Sequence, residues 1–95
     1  MIEPGMVLRR RDRVVYRVID DEALVLRMDD AECLGLDEVG AAVLDRVDGR
    51  RPVSGIVDQL ALIYDVERAQ LERDVCAFLQ ELVDAGVLQP AAGGG

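Results

Sequence analysis

The strongest constraint on what this chain can fold into is a change of hydrophobic period near Asp37. Before it, apolar residues come in short runs rich in β-branched and aromatic types. Val14 to Ile19 reads VVYRVI and Ala23 to Met28 reads ALVLRM, separated by the acidic turn Asp20-Asp21-Glu22. Runs of this length and type suit strands, and the turn between them suits a hairpin. A second acidic turn at Asp29-Asp30 leads into Glu32 to Leu36, ECLGL, short enough to be a third strand. Residues before about Met6 are expected to be loose.

After Asp37 the spacing becomes helical. Val39, Val43 and Val47 recur every fourth residue between Asp37 and Asp48, with Asp37 as N-cap and Gly49 as the left-handed stop. Pro52 to Tyr64 carries a stripe of Val53, Ile56, Val57, Leu60 and Ile63, and Pro52 is acceptable where the first helical N–H groups need no partner within the helix. From about Glu67 to Ala85, Leu71, Val75, Phe78, Leu79, Leu82 and Val83 keep to one face, and Gly86 ends the run so that Val87 and Leu88 fold back. The spacing therefore predicts an α+β fold: a three-stranded antiparallel sheet followed by three helices, winged helix-turn-helix-like, because neither layer can bury its apolar face alone. Residues 1–90 are expected to form one domain and residues 91–95, AAGGG, a flexible tail.

Composition limits what such a fold does. The 95 residues, 51% of them hydrophobic, are enough for one packed core and leave little room for an active-site cleft. Eleven basic residues, all arginine, face nineteen acids, for a net charge of -8. Such a balance disfavours nucleic acid, whose binding rests on cations that neutralise phosphates. Pro52 to Tyr64 has Asp58 as its one charge, and Asp65 to Gly86 has two arginines against six acids, which is wrong for a recognition helix. With no histidine, neither a Ser-His-Asp set nor a histidine metal site can be assembled. Cys33 and Cys76 lie far apart without metal-ligand spacing and read as reduced thiols. No apolar run is long enough to span a bilayer and the N-terminus does not have the order of a signal peptide, so the cytoplasm is the expected compartment.

Two stretches carry a resemblance. GLDEVGAAVLDRVDGRRPVSGIVDQLALIYDV, followed by RDVCAFLQELVDAGVL, resembles the PqqD family and the related recognition elements of lasso-peptide and other modified-peptide pathways. The marks are Leu36, Asp37, Gly40, Asp48, Gly49, Ile56, Val57, Leu60, Asp74, Val75, Phe78, Leu79, Leu82, Gly86 and Leu88, within a likeness that covers about Val14 to Leu88. The chain departs from many relatives in having Glu32-Cys33-Leu34 where they carry aromatic residues. It also has Leu36-Asp37 for Leu-Asn, Pro52 for a capping Thr or Ser, and no tryptophan near its C-terminus.

The resemblance implies a peptide chaperone with no catalytic residue and no cofactor. In similar proteins the leader of a ribosomally made precursor adds as a strand to the sheet edge and lies against the third helix. The modifying enzyme, a radical SAM protein or a leader protease with a cyclase, then does the chemistry. Mapped onto this chain, the edge is Glu32, Cys33, Leu34, Gly35 and Leu36, and the helical wall is Arg73, Cys76, Ala77, Gln80 and Glu81. Leu34 and Ala77 would be apolar floor, and Arg73 would pair with an acidic leader residue. The residues by themselves suit Leu34 equally to the core and Arg73 to a solvated helix face. The run Arg9-Arg10-Arg11-Asp12-Arg13 suits either an acidic partner or a charged, aggregation-resistant edge. The alternatives from other classes are a winged-helix DNA-binding protein and a regulatory protein-interaction module.

Overall fold

The computed structural model describes residues 1–91. In chain order its elements are β1 (Leu8–Arg10), β2 (Val14–Ile19), β3 (Glu22–Arg27), β4 (Glu32–Leu36), α1 (Glu38–Asp45), α2 (Val53–Ala61), α3 (Arg68–Asp84) and β5 (Leu88–Pro90). The expected three strands and three helices are all present, and a second sheet joins them. β2, β3 and β4 form the antiparallel sheet in that order, while β1 and β5 pair with each other.

The acidic turns build the hairpins. Ile19 pairs with Glu22, leaving Asp20 and Asp21 as a two-residue loop. Asp20 takes a left-handed φ of 57°, which a short polar side chain tolerates. In the next turn Asp30 accepts the Glu32 N–H at 3.2 Å and pairs with Arg27 at 2.6 Å. Arg27 also donates to the Ala85 carbonyl, fastening β3 to the C-terminal end of α3, where a cation complements the helix dipole.

Strand pairing sorts the side chains between two faces, since directly opposed residues point the same way. Val25 lies between Tyr16 and Leu34, and Ala23 lies between Val18 and Leu36. Val25 and Ala23 are buried against the helices, whose contribution is Val43, Leu44, Val53, Ile56, Val57, Leu60, Leu71, Val75, Leu79 and Leu82. Tyr16 extends from the sheet to donate its hydroxyl to the Ala41 carbonyl at 3.3 Å.

Three expectations need correction. The segment before Met6 is not loose: Ile2 is buried, its N–H meets Gln80 Oε1 at 3.1 Å, and the Pro4 and Met6 carbonyls accept from Ser54 and Val53 at 2.8 Å. Those carbonyls satisfy the first N–H groups of α2, whose N-cap, Pro52, has no side-chain cap to offer. α2 ends at Ala61, so Ile63 lies beyond the helix and is exposed. Ala91 is still held, donating to the Val7 carbonyl at 2.9 Å, and the rest of the expected tail lies outside the described residues.

The arginine run divides between structural uses. Arg9 and Arg10 belong to β1, which pairs through them with Gln89 and Leu88 on one side of a two-stranded sheet. Arg10 stacks over the Tyr16 ring, and Arg13, at φ 66°, meets Asp29 at 2.6 Å.

Candidate functional site

In the order β2-β3-β4, β4 has a strand partner on one side only. Its other side presents backbone donors and acceptors to whatever lies beside it. Next to the C-terminal half of β4 is an open cavity of about 600 Å³. Gly35 and Leu36 line it from β4, and Asp37, Val39, Gly40 and Val43 from α1 and its N-cap. Tyr64 and Val66 close it from the α2–α3 connection, and Leu71, Asp74, Val75 and Phe78 from α3.

Local packing explains this shape. Asp37 caps α1 by accepting the Gly40 N–H at 2.8 Å, which turns the chain out of β4 and into the helix at the rim of the cavity. Gly40 lets α3 approach: a Cβ there would stand 3.0 Å from Phe78 Cζ, so the ring lies directly on the α1 backbone. Val39 and Val66, 47% and 46% exposed, face the opening instead of the core. A Cβ on Gly35 would meet nothing within 4 Å, so the sheet face is open at that residue.

The five strand residues divide between the two faces of the sheet. Leu34 and Leu36 point to the covered face, where both are half-buried and packed against the core. The two environments proposed for Leu34, core and site, are thus partly merged in this one side chain. Cys33 and Gly35 are opposed to Leu26 and Leu24 on the outer face. That face also exposes Val15 and Ile19. Glu32, opposed to Arg27, is solvent-exposed.

The helical wall is placed differently from the expectation. Arg73, Cys76, Ala77 and Gln80 line a separate cavity of about 650 Å³ with Met1, Pro4, Ala69 and Glu72, and Glu81 lines neither. The cause is helical phase. Leu71, Val75 and Phe78 keep to the stripe that faces β4 and the core, whereas Arg73, Cys76 and Gln80 lie about half a turn away. Arg73 donates to Gln70 Oε1 at 3.0 Å on that outer side. Val39, Tyr64, Val66 and Asp74 line the groove without having been singled out for it in the sequence, and only Phe78 left a signal there: the apolar stripe of α3 is wider than its buried set of Leu71, Val75, Leu79 and Leu82.

The chemistry of the groove is apolar and acidic. Asp37 and Asp74 are its charged lining residues, and Asp74 accepts from Gln70 Nε2 at 2.9 Å. Among the described residues no three His, Cys, Asp or Glu side chains are grouped to hold a metal ion, and no helix is long and apolar enough to cross a membrane. Both cysteines are free thiols, and burial together with the Glu72 charge raises the Cys76 pKa.

Comparison with known proteins adds to this geometry. A family model described as coenzyme PQQ synthesis protein D (PqqD) matches residues 22–88. The PqqA binding protein of Rhodopseudomonas palustris strain TIE-1 is 45% identical over 58 residues, which cover 61% of this chain and 57% of that protein. The PqqA binding protein of Bradyrhizobium diazoefficiens is 41% identical over 58 residues, 61% of this chain and 56% of that protein. The chain thus spans a little over half the length of the curated relatives it matches. Among solved structures, TbiB1 in complex with the TbiA(beta) leader peptide superposes with a TM-score of 0.80 at 32% identity, covering 85% of this chain and 94% of that one. The PqqD truncation of Methylobacterium extorquens PqqCD, described as a functional and stand-alone RiPP recognition element, superposes at 0.78 with 30% identity, covering 94% of this chain and 95% of that one.

Proposed function

Because this chain belongs to the PqqD family, we propose that it is a peptide-binding recognition element that takes the leader of a ribosomally synthesised precursor and does no chemistry itself. The observation that carries this reading is the unpaired side of β4 running beside the groove between α1 and α3. A leader strand added along Glu32 to Leu36 would satisfy the open backbone groups of β4. Its alternate side chains would drop toward Leu36, Val39, Tyr64, Val66 and Phe78. Backbone bonds supply affinity for any extended peptide, and the apolar pocket supplies selectivity. Two relatives are named for binding a peptide, PqqA, and one of similar structure was solved with a leader peptide, which supports the same use here.

The domain's contribution is positioning. Ordering a disordered leader costs about 2–5 kcal/mol, and docking of the loaded domain on a modifying enzyme raises the effective concentration of the core peptide at that enzyme's active site. The partner would be a radical SAM enzyme or a leader protease acting with a cyclase, in the cytoplasm, and any cluster or nucleophile would belong to it. A DNA-binding use is disfavoured further by the pairing of Arg68, at the start of α3, with Asp58 of α2 at 2.5 Å.

Calorimetric titration with a panel of precursor leaders, of PqqA type and of lasso type, tests the reading beside a Phe78→Ala variant and random duplex DNA. Micromolar binding of at least one leader, weakened about tenfold or more in the variant, is the expected result. DNA binding without leader binding, or leader binding indifferent to Phe78, would overturn it.

A further inference from the structure

Resting on that reading, we propose that the groove selects leaders carrying a basic residue beside their apolar anchor, and that Asp74 is the residue that reads it. The sequence had suggested the opposite sign, an acidic leader residue paired with Arg73. Helical phase removes Arg73 from the groove and leaves Asp74 in it.

No base lines the groove, and the nearest arginine, Arg73, reaches that carboxylate only through the Gln70 amide, which accepts from Arg73 at 3.0 Å and donates to Asp74 at 2.9 Å. The lining residues include two acids and no base. Arg68 is held by Asp58 at 2.5 Å, and Arg27 by Asp30 at 2.6 Å and the Ala85 carbonyl. Among the described residues Asp74 makes no ion pair. Its one hydrogen-bond partner is the neutral amide of Gln70. The other groove acid, Asp37, has one oxygen committed to the Gly40 N–H. A leader acid placed here would face uncompensated like charge, whereas a lysine or arginine would find an acceptor at the wall of an apolar slot.

Geometry gives the spacing as well. Asp74 and Phe78 stand four residues apart on α3, about 6.0 Å along the axis. Alternate residues of a strand are separated by about 6.7 Å. An apolar side chain over Phe78 and a cation over Asp74 therefore fit positions i and i±2 of one leader strand, both pointing to the same face. Asp74 is exposed, so the pair is worth only about a two- to fivefold preference.

The experiment is display selection of a randomised fifteen-residue peptide library on the whole chain, on Asp74→Asn, on Asp74→Lys, and on Asp21→Asn. The last variant removes a turn charge outside the groove and controls for net charge. Selected peptides are then titrated in pairs differing only by Lys→Glu at the enriched position. The expected result is a Lys or Arg two positions from a large apolar residue, enriched on the wild type and on Asp21→Asn. That enrichment should be lost on Asp74→Asn and become acidic on Asp74→Lys. An apolar anchor with no charge preference, or a basic preference that survives Asp74→Asn, would overturn the inference and leave the leader-binding reading intact. Failure to enrich any extended apolar motif would sink both together.

Discussion

Gly40→Ala separates the groove from the fold that supports it. Replacing glycine by alanine in a helix recovers about 0.5–1 kcal/mol, and the lower figure applies because Gly40 is only the third residue of α1. Against this, the new methyl would lie 3.0 Å from Phe78 Cζ and 3.3 Å from both Phe78 Cε1 and Asp37 Oδ1, short of the about 3.5–4.0 Å of an optimal carbon contact. The deficit is a few tenths of an ångström to half an ångström, and the ring borders open space into which it can retreat. The two effects are of similar size, so net stability is expected to change by less than about 1 kcal/mol, or about 4–8 °C in Tm. The displaced ring narrows the slot, and leader affinity is expected to fall about tenfold, about 1.4 kcal/mol. Thermal melts and calorimetry on the same preparation give both numbers, and a Phe78→Leu background should restore part of the lost affinity because it removes the clashing ring edge. A Tm loss above about 10 °C would show that Phe78 cannot move. Unchanged affinity at unchanged Tm would show that this wall takes no part in binding.

Other expectations follow from single sites. Gly86 ends α3 at φ +78°, so Gly86→Ala should cost about 1–2 kcal/mol in urea unfolding; a neutral result would mean that the backbone there relaxes freely. The Asp48 carboxyl is held below its ordinary value by the backbone N–H groups of Arg51 and Arg50 at 2.7 and 2.9 Å. A lowered folded-state pKa gives stability that is present above the unfolded carboxylate value and lost as pH falls through the folded one. The stability gap between wild type and Asp48→Asn should therefore close on acidification through that range, and a gap that widens would contradict the sign. Cys33 is exposed while burial raises the Cys76 pKa, so thiol labelling at mildly alkaline pH should show a fast phase removed by Cys33→Ser. Bound leader should slow that phase, and a fast phase that disappears only in Cys76→Ser would refute the assignment.

The elements were legible because each is written in local chemistry: β-branched runs bounded by acidic turns, the Asp37 cap, and the glycine that ends α3, whereas α1 stops at Asp45, four residues short of Gly49. The β1–β5 pairing was not, because three-residue strands carry too little periodicity, and their partner lies nearly eighty positions away. For the site, β4 was recognisable as a strand and its edge position came from the family resemblance. The helical wall required the rotation of α3 about its axis, which tertiary packing sets. Leu71 and Phe78 were correctly placed on the apolar stripe and taken as core, since sequence cannot distinguish a stripe covered by protein from one left open for a ligand.

The clasp between β1 and β5 also decides how the molecule answers a mechanical load. Leu8 pairs with Pro90 and Arg10 with Leu88, so the two chain directions leave the ladder at the same end. Tension applied through residues before Leu8 and after Pro90 has first to break the bonds of Ile2 to Gln80 and of Pro4 and Met6 to the start of α2, and then peels this ladder one rung at a time, instead of shearing all its rungs together. The first rungs to yield are remote in sequence from β4 and the groove walls. Force transmitted through the backbone is therefore spent on the clasp before it reaches the sheet edge, as though the binding surface hung from a zip with the slider at its outer end.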